Sequence, residues 1–158
     1  MAANQIGIKA KLYYNTATFG SPTWVHVTLV RDWTMNQKPN MAEVLDRSTK
    51  AMRKVPTTYD ISCSGSLRTV ADSTIYLAFR TAFLAGSVID IMCLTGLSTN
   101  NGEIGWRYEA TVEDMTRDEG AANVMYDSLI LSPHGESSNV IQSVVVSGGA
   151  PVLTTFAA

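Results

Sequence analysis

Charge is scarce in this sequence. Asp, Glu, Lys and Arg make up 16% of its 158 residues, against roughly 25% in an ordinary soluble domain. A compact monomer with so little charge has few groups to keep its surface solvated. Either it is a well-packed β domain rich in Ser and Thr, or neighbouring copies cover much of its surface. Apolar and small residues running through the predicted loops and both ends favour the second. Histidine is also rare: only His26 and His134 occur, and neither has a nucleophile beside it in the sequence. The two cysteines, Cys63 and Cys93, lie in apolar-alternating segments with no Cys or His nearby. That excludes a zinc pattern and predicts buried free thiols. No apolar run approaches the ~20 residues that span a membrane. The start has no basic stretch followed by an apolar one, so no signal peptide is expected. Synthesis and folding in a reducing cytoplasm follow as expectations. A net charge of −2 and a pI of about 5.6 exclude a generally basic nucleic-acid binder.

No catalytic constellation stands out either, so no cofactor, no metal and no enzyme activity is expected. Ser62-Cys63-Ser64-Gly65-Ser66 lacks the Gly-x-Ser-x-Gly spacing of a nucleophile elbow and reads as strand. Glu109 and Glu113 share a strand face, but residues four apart on a strand are about 13 Å apart, too far for most paired-acid chemistry. No Gly-rich phosphate loop precedes a helix. Trp24, Trp33 and Trp106 could form a stacking platform. Without a basic background, packing in a core or between subunits is the better reading.

What is present is mostly β pattern. Residues 6–14 alternate, with Ile6, Ile8, Ala10, Leu12 and Tyr14 on one face, and predict a half-buried strand. Residues 24–36 predict a longer one, with Val25, Val27 and Leu29 together. Residues 59–69 place Asp60, Ser62, Ser64, Ser66 and Arg68 opposite Ile61, Cys63, Gly65 and Leu67. Residues 72–85 predict a helix, capped by Asp72 or Ser73, with Ile75, Phe79, Ala82 and Phe83 at helical spacing beside Tyr76. Gly86 is placed to end it in a left-handed conformation. Strands follow at 88–94, 103–116, 123–131 and 140–146, with a tight Asn101-Gly102 turn between the first two. In 103–116, Trp106, Tyr108, Ala110 and Val112 face in while Arg107, Glu109, Thr111 and Glu113 face out. About seven strands and one helix make a single, mainly β domain of sandwich or barrel geometry. Residues 147–158, beginning Ser147-Gly148-Gly149, read as a flexible arm bearing Val152, Leu153 and Phe156.

Residues 37–58 break the pattern. They hold Pro39 and Pro56, several Met, and neither clean alternation nor a helical stripe. Lys38, Arg47, Lys50, Arg53 and Lys54 stand against Glu43 and Asp46, a net +3, which leaves −5 for the rest of the chain. So long a loop inside a compact domain is usually functional or disordered. Residues 41–47 could become a helical turn or a strand given a partner.

The opening resembles the major tail tube proteins of siphophages, the phages with long non-contractile tails. The residues concerned are Gly7-Ile8-Lys9-Ala10-Lys11-Leu12-Tyr13-Tyr14-Asn15, then Pro22-Thr23-Trp24-Val25, then Val30-Arg31-Asp32-Trp33-Thr34-Met35-Asn36. The helix end Arg80-Thr81-Ala82-Phe83-Leu84-Ala85-Gly86 before an apolar strand is similar too. The match spans 7–36 best, 59–115 less closely, and fades beyond 120. It implies a β-sandwich with one flanking helix. Six copies would form a ring whose inner sheets close into a shared barrel, and rings would stack into a tube in the virion tail. The implied partners are other copies, a tape measure protein, terminator and distal tail proteins, and genomic DNA passing through the lumen without specific binding; no membrane is involved.

The implied inter-ring stacking loop is 37–58, with Lys38, Met41, Arg47, Lys50, Met52, Arg53 and Lys54 as its contacts. Lumen-facing candidates are Asp60, Ser62, Ser64, Glu109, Glu113 and Asp127. The arm 147–158 would add contacts through Val152, Leu153 and Phe156. Lys50-Ala51-Met52-Arg53-Lys54 is more basic and Met-rich than the family's pattern. The inner tube of a contractile tail or secretion device fits the sequence equally, and a small β binding or decoration module is the reading from another class.

Overall fold

The structure is a computed structural model that describes residues 10–46, 51–118, 124–135 and 141–155. The strands are β1 Lys11–Asn15, β2 Trp24–His26, β3 Val30–Asp46, β4 Ala51–Arg68, β5 Ile89–Leu94, β6 Ile104–Asp114, β7 Arg117–Asp118, β8 Tyr126–Pro133, β9 Gln142–Ser147 and β10 Ala150–Thr155; the helix, α1, is Thr74–Ala85. All pairings are antiparallel. The main path runs β2-β1-β5-β6-β8-β4-β3. Strand β6 is shared: Ile104–Arg107 pair with β9, while Ala110–Asp114 pair with β8 along the same edge. The expected mainly β sandwich with one helix is what forms, and its sheet curls into a half-barrel.

The curl follows from where apolar residues sit. Ile61, Cys63 and Leu67 of β4, Leu129 and Leu131 of β8, Tyr108, Ala110 and Val112 of β6, and Ile91 and Cys93 of β5 are all buried together with Phe79 and Tyr76 of α1. The Cys63 and Cys93 sulfurs lie 2.8 Å apart although β6 and β8 separate their strands in the sheet. Only a strongly curled sheet brings them together. Both are buried free thiols, as the sequence predicts.

A second apolar cluster lies on the other face of β1 and β5. Tyr13, Met92 and Leu94 meet Val144 and Val146 of β9, with Trp24 and Leu153 packed on them. Strand β1 is therefore buried on both faces: Leu12, Tyr13 and Tyr14 are all covered. This corrects the expected half-buried strand, of which residues 6–9 lie outside the described residues. The three tryptophans occupy different packing sites, Trp33 in the main core, Trp106 against it and Trp24 on the second cluster.

Arg107 is placed on the outward face of β6 by alternation, yet it is 2% exposed. Its guanidinium donates to both carboxylate oxygens of Asp90 at 3.1 and 2.8 Å, to Gln142 Oε1, and to the Phe19 carbonyl. It also lies 3.7 Å over the Phe19 ring and 5.1 Å from that of Trp24. One cation thus joins β5, β6, β9 and the loop between β1 and β2. Breaking such a buried, fully hydrogen-bonded pair by removing one partner costs about 3–5 kcal/mol, because it strands the other charge.

Three local features differ from the sequence reading. The strand at 24–36 is split, and a bulge at Asp32, with φ 54°, shifts the register between Arg31 and Thr34 and turns Trp33 into the core. The helix starts at Thr74 after Ser73 with no side-chain cap; the Leu77 N–H bonds the Ser73 carbonyl instead. Its buried face is Tyr76, Phe79 and Ala82, while Phe83 is 39% exposed. Gly86 does end it left-handed, at φ 60°. The 147–158 arm is strand over its described part. Gly148 and Gly149, at φ 63° and 76°, make a two-residue turn that folds β10 back onto β9, the geometry that matches the twist of a hairpin. The expected strand 140–146 and part of the arm are therefore one unit.

A left-handed conformation costs a side-chain-bearing residue roughly 1–2 kcal/mol, least for Asp, Asn and Gly. Replacing Asp32 with glycine should leave stability in urea unfolding unchanged or raise it by up to about 1 kcal/mol. Replacing it with valine should lower stability by about 1–2 kcal/mol. Equal values for the two variants would show that the bulge is not what orients Trp33.

Candidate functional site

The expected loop 37–58 is not irregular over its described residues. Strands β3 and β4 pair continuously to Asp46↔Ala51. Strand β8 pairs with β4 only from Cys63 to Arg68. From Asn36↔Ser62 onward the two strands have no ladder partner but each other among the described residues, a ribbon of eleven residue pairs or roughly 35 Å at strand rise. The alternation fails in sequence because the register slips between Asn40 and Met41, opposite the Pro56-Thr57-Thr58 stretch. A bulge there accommodates Pro56, and Pro39 lies on the sheet's edge strand, where proline is tolerated.

Beyond Ile61, which is buried in the main core, none of the ribbon's described side chains is buried. Lys38, Met41, Glu43, Val44 and Lys54 are all exposed, Met41 and Val44 at 51% each. The Lys54–Glu43 contact at 3.9 Å is itself solvated and contributes little. Met52 and Arg53 lie in β4 with side chains outside those described, and Arg47 and Lys50 lie outside the described residues. A two-stranded ribbon with no buried face is marginal in water.

Five of the six lumen candidates share one surface. Asp60, Ser62 and Ser64 of β4 and Glu109 and Glu113 of β6 alternate with the buried residues of their strands and point away from the main core. Cross-strand neighbours extend that surface: Thr34 pairs with Ser64, Asn36 with Ser62, and Thr111 with Ser132. Thr111 also shares a 2.8 Å hydrogen bond with His134 Nδ1. Asp60 and Glu113 are exposed, and the others are half-buried under one another. The surface is mostly hydroxyls and carboxylates, with Ile130 half-buried between Ser64 and Asp114.

Asp127 does not belong to it. It pairs with Leu67, faces the core and is 2% exposed. Its carboxylate accepts from Tyr76 Oη at 2.7 Å and from Arg117 Nε at 3.3 Å. The lumen assignment of Asp127 is corrected on this ground. Sequence held the clue, since Asp127 shares its period with Leu129 and Leu131. Burial, then the hydrogen bond to Asp127, holds the Tyr76 hydroxyl above its usual pKa.

A third surface went unnoticed in the sequence. Ile104, Val145 and Val152 are register neighbours across β6, β9 and β10, and they are 53%, 46% and 50% exposed. They form an apolar row on three adjacent strands, beside Trp106 and Met35. Of the expected arm contacts, Val152 is in this row, Leu153 faces the chain's own second cluster, and Phe156 lies outside the described residues. Among the described residues, no three His, Cys, Asp or Glu side chains are grouped to hold a metal ion, and no helix is long and apolar enough to cross a membrane.

With ribbon, polar face and apolar row in place, the fold can be compared with known ones. Neither a family model nor a curated protein sequence matches the chain. Solved structures do. The chain is similar to one from the tail of an empty gene transfer agent particle with C6 symmetry, at a TM-score of 0.62 and 13% identity, covering 92% of this chain and 96% of that one. It is similar to the SPP1 tail tube, at a TM-score of 0.63 and 13% identity, over 96% of this chain and 79% of that one. A chain in the six-fold symmetrised baseplate of the anti-feeding prophage matches at 0.61 and 9% identity, over 93% and 99%. The chain has the fold seen in phage-type tails and tubes.

Tyr76 supplies a pH test of the buried network. The unfolded chain releases a tyrosine proton near pH 10 while the folded chain holds it, so stability is complete below about pH 10 and declines above. Tyr76→Phe should cost about 1–3 kcal/mol at neutral pH, since Asp127 loses a donor. It should also make the alkaline decline shallower. An unchanged alkaline slope in urea titrations would show that Tyr76 does not titrate against Asp127.

Proposed function

We propose that this chain is the structural subunit of a tail tube. Copies close side by side into a six-membered ring, and rings stack into a hollow tube that conducts DNA. The observation that carries this is the β3–β4 ribbon, a continuous pair of strands none of whose described side chains beyond Ile61 is buried. A neighbouring subunit in the next ring covers the ribbon and meets its net positive charge. The likeness to two tail structures, one of C6 symmetry, supports the ring number and the tube. The apolar row of Ile104, Val145 and Val152 is covered within the ring or between rings by another copy. The surface of Asp60, Ser62, Ser64, Glu109 and Glu113 lines the lumen.

On this reading the chain works as a virion tail component made in the bacterial host's cytoplasm. It has no substrate. Its partners are further copies, a tape measure protein inside the tube during assembly, and terminator and distal tail proteins at the ends. The baseplate match favours a second version, the inner tube of a contractile device, in which a sheath would cover the outside. The exposed Leu77 and Leu84 of α1 are then where the sheath rests.

Negative-stain microscopy of the purified protein should show hollow filaments. Replacing residues 37–58 with a short turn should abolish them while the body keeps its thermal midpoint within a few degrees. Normal filaments from the shortened chain would sink the stacking role of the ribbon. Val145→Glu tests the apolar row separately. It should leave the monomer's circular dichroism and stability unchanged, as expected for an exposed site, and reduce polymerisation at least tenfold. Unimpaired assembly would mean the row faces solvent in the tube.

A further inference from the structure

We propose that Cys63 and Cys93 form a redox staple, a dithiol that small neutral oxidants convert into one intramolecular disulfide across the core. The two sulfurs lie 2.8 Å apart, closer than ordinary van der Waals contact between sulfurs, each side chain is fully buried, and thirty positions separate them. Their strands are not sheet neighbours, since β6 and β8 lie between them. A bond here therefore bridges the hollow of the half-barrel. It ties β4, whose far end is the ribbon, to β5 in the middle of the sheet, and it closes a loop containing all of α1. The spacing suits sulfur–sulfur chemistry and no metal: two thiolates sharing an ion at about 2.3 Å each stand more than about 3.5 Å apart.

The chemistry balances with a peroxide. One thiolate attacks a peroxide oxygen, the O–O bond breaks, and a sulfenic acid forms as hydroxide leaves. The second thiolate attacks that sulfur, the S–O bond breaks, and the S–S bond forms. Each thiol proton ends on a hydroxide. Two thiols and one hydrogen peroxide give one disulfide and two waters, with sulfur oxidised and oxygen reduced. Burial pushes the Cys93 thiol well above its usual pKa, so thiolate is scarce and the closed core reacts slowly. Oxidation then proceeds through transient opening of the sheet. In its biological setting the staple rests on the proposed function: the subunit is made reduced in a cytoplasm and stapled once the particle is outside.

Full-length protein, purified under reducing conditions, is treated with dilute hydrogen peroxide, quenched, denatured and alkylated with iodoacetamide. Intact and peptide mass spectrometry then follow. Both thiols should become unreactive together, with loss of the mass of two hydrogens and a single Cys63–Cys93 peptide pair. Closing a thirty-residue loop should raise the thermal midpoint by about 10 °C, reversibly with reductant. Thiols that stay alkylatable, sulfinic acids in place of the linkage, links only between chains, or a linkage with no thermal gain would each overturn the staple. Cys93→Ala, which keeps one thiol, must show no gain on oxidation; a gain there would overturn it as well. Microscopy of the same samples separates the two proposals. Filaments without the linkage remove the staple alone, and a linkage in protein that never polymerises removes the tube alone.

Discussion

The architecture depends on one buried cation. Arg107 sits at the point where β6 changes partners, from β9 to β8, and where a second layer folds over the outer face of β5. A polar residue on that face would ordinarily look into water. Here its guanidinium is held by Asp90, Gln142 and the Phe19 carbonyl and stacked on Phe19. Three segments distant in sequence converge because a desolvated guanidinium needs all its donors met. Asn15 adds to the site by donating to Asp90. That convergence fixes the β9–β10 hairpin over Met92 and Leu94 and so creates the second apolar cluster. The same placement sets the far side of the hairpin, with Val145 and Val152, outward.

A chain of this size can cover only part of its own sheet. Curling buries one face of β3, β4, β8 and β6 against α1, and the hairpin buries the other face of β1 and β5. Nothing within the described residues covers the outer face of β4 and β8, the ribbon, or the apolar row. These are three surfaces of distinct chemistry: hydroxyl and carboxylate, mixed charge with exposed Met and Val, and plainly apolar. Strand β3, seventeen residues long, is the edge strand of the main sheet path, with β4 as its ladder partner among the described strands. Such an edge invites pairing with another chain, and a closed ring is an arrangement that satisfies edges without open-ended growth in the plane.

Much of this was legible in the sequence wherever one face meets a core and the other meets solvent. Period-two alternation placed Ile61, Cys63 and Leu67 opposite Asp60, Ser62 and Ser64 correctly, and did the same for Trp106 to Glu113 apart from Arg107. It failed where that premise fails. The described ribbon residues beyond Ile61 bury no side chain to print a period, and the slipped register offsets what little alternation exists. Strand β1 has two buried faces, so Tyr13 and Tyr14 look alike. Arg107 is buried by segments far away in the chain, which no local window senses. Gly148-Gly149 has the composition of a linker and the dihedral angles of a hairpin turn, and composition does not distinguish them. Asp127 was misassigned although its spacing to Leu129 and Leu131 was visible.

The scarcity of charge now has a structural account. One of the few ion pairs, Arg107 with Asp90, is spent inside the fold, and a second carboxylate, Asp127, is buried beneath the exposed Arg117. The outer face of β4, β8 and β6 carries Ser62, Ser64, Ser66, Ser128, Ser132 and Thr111 where a typical solvated sheet carries Lys and Glu, with Arg68 as a cation at its end. If this face lines the lumen of a tube, as proposed, its composition has a physical logic. Lysines and arginines would displace the condensed counterions of the duplex and bind it tightly. Bare hydrocarbon would seek another apolar surface. Hydroxyls hold water, and scattered carboxylates repel phosphate without gathering cations into a barrier. A lumen of this kind leaves the counterion atmosphere of the DNA intact, so passage costs little at any position along the tube. On the same proposed reading, the net +3 of residues 37–58 would serve contacts between rings.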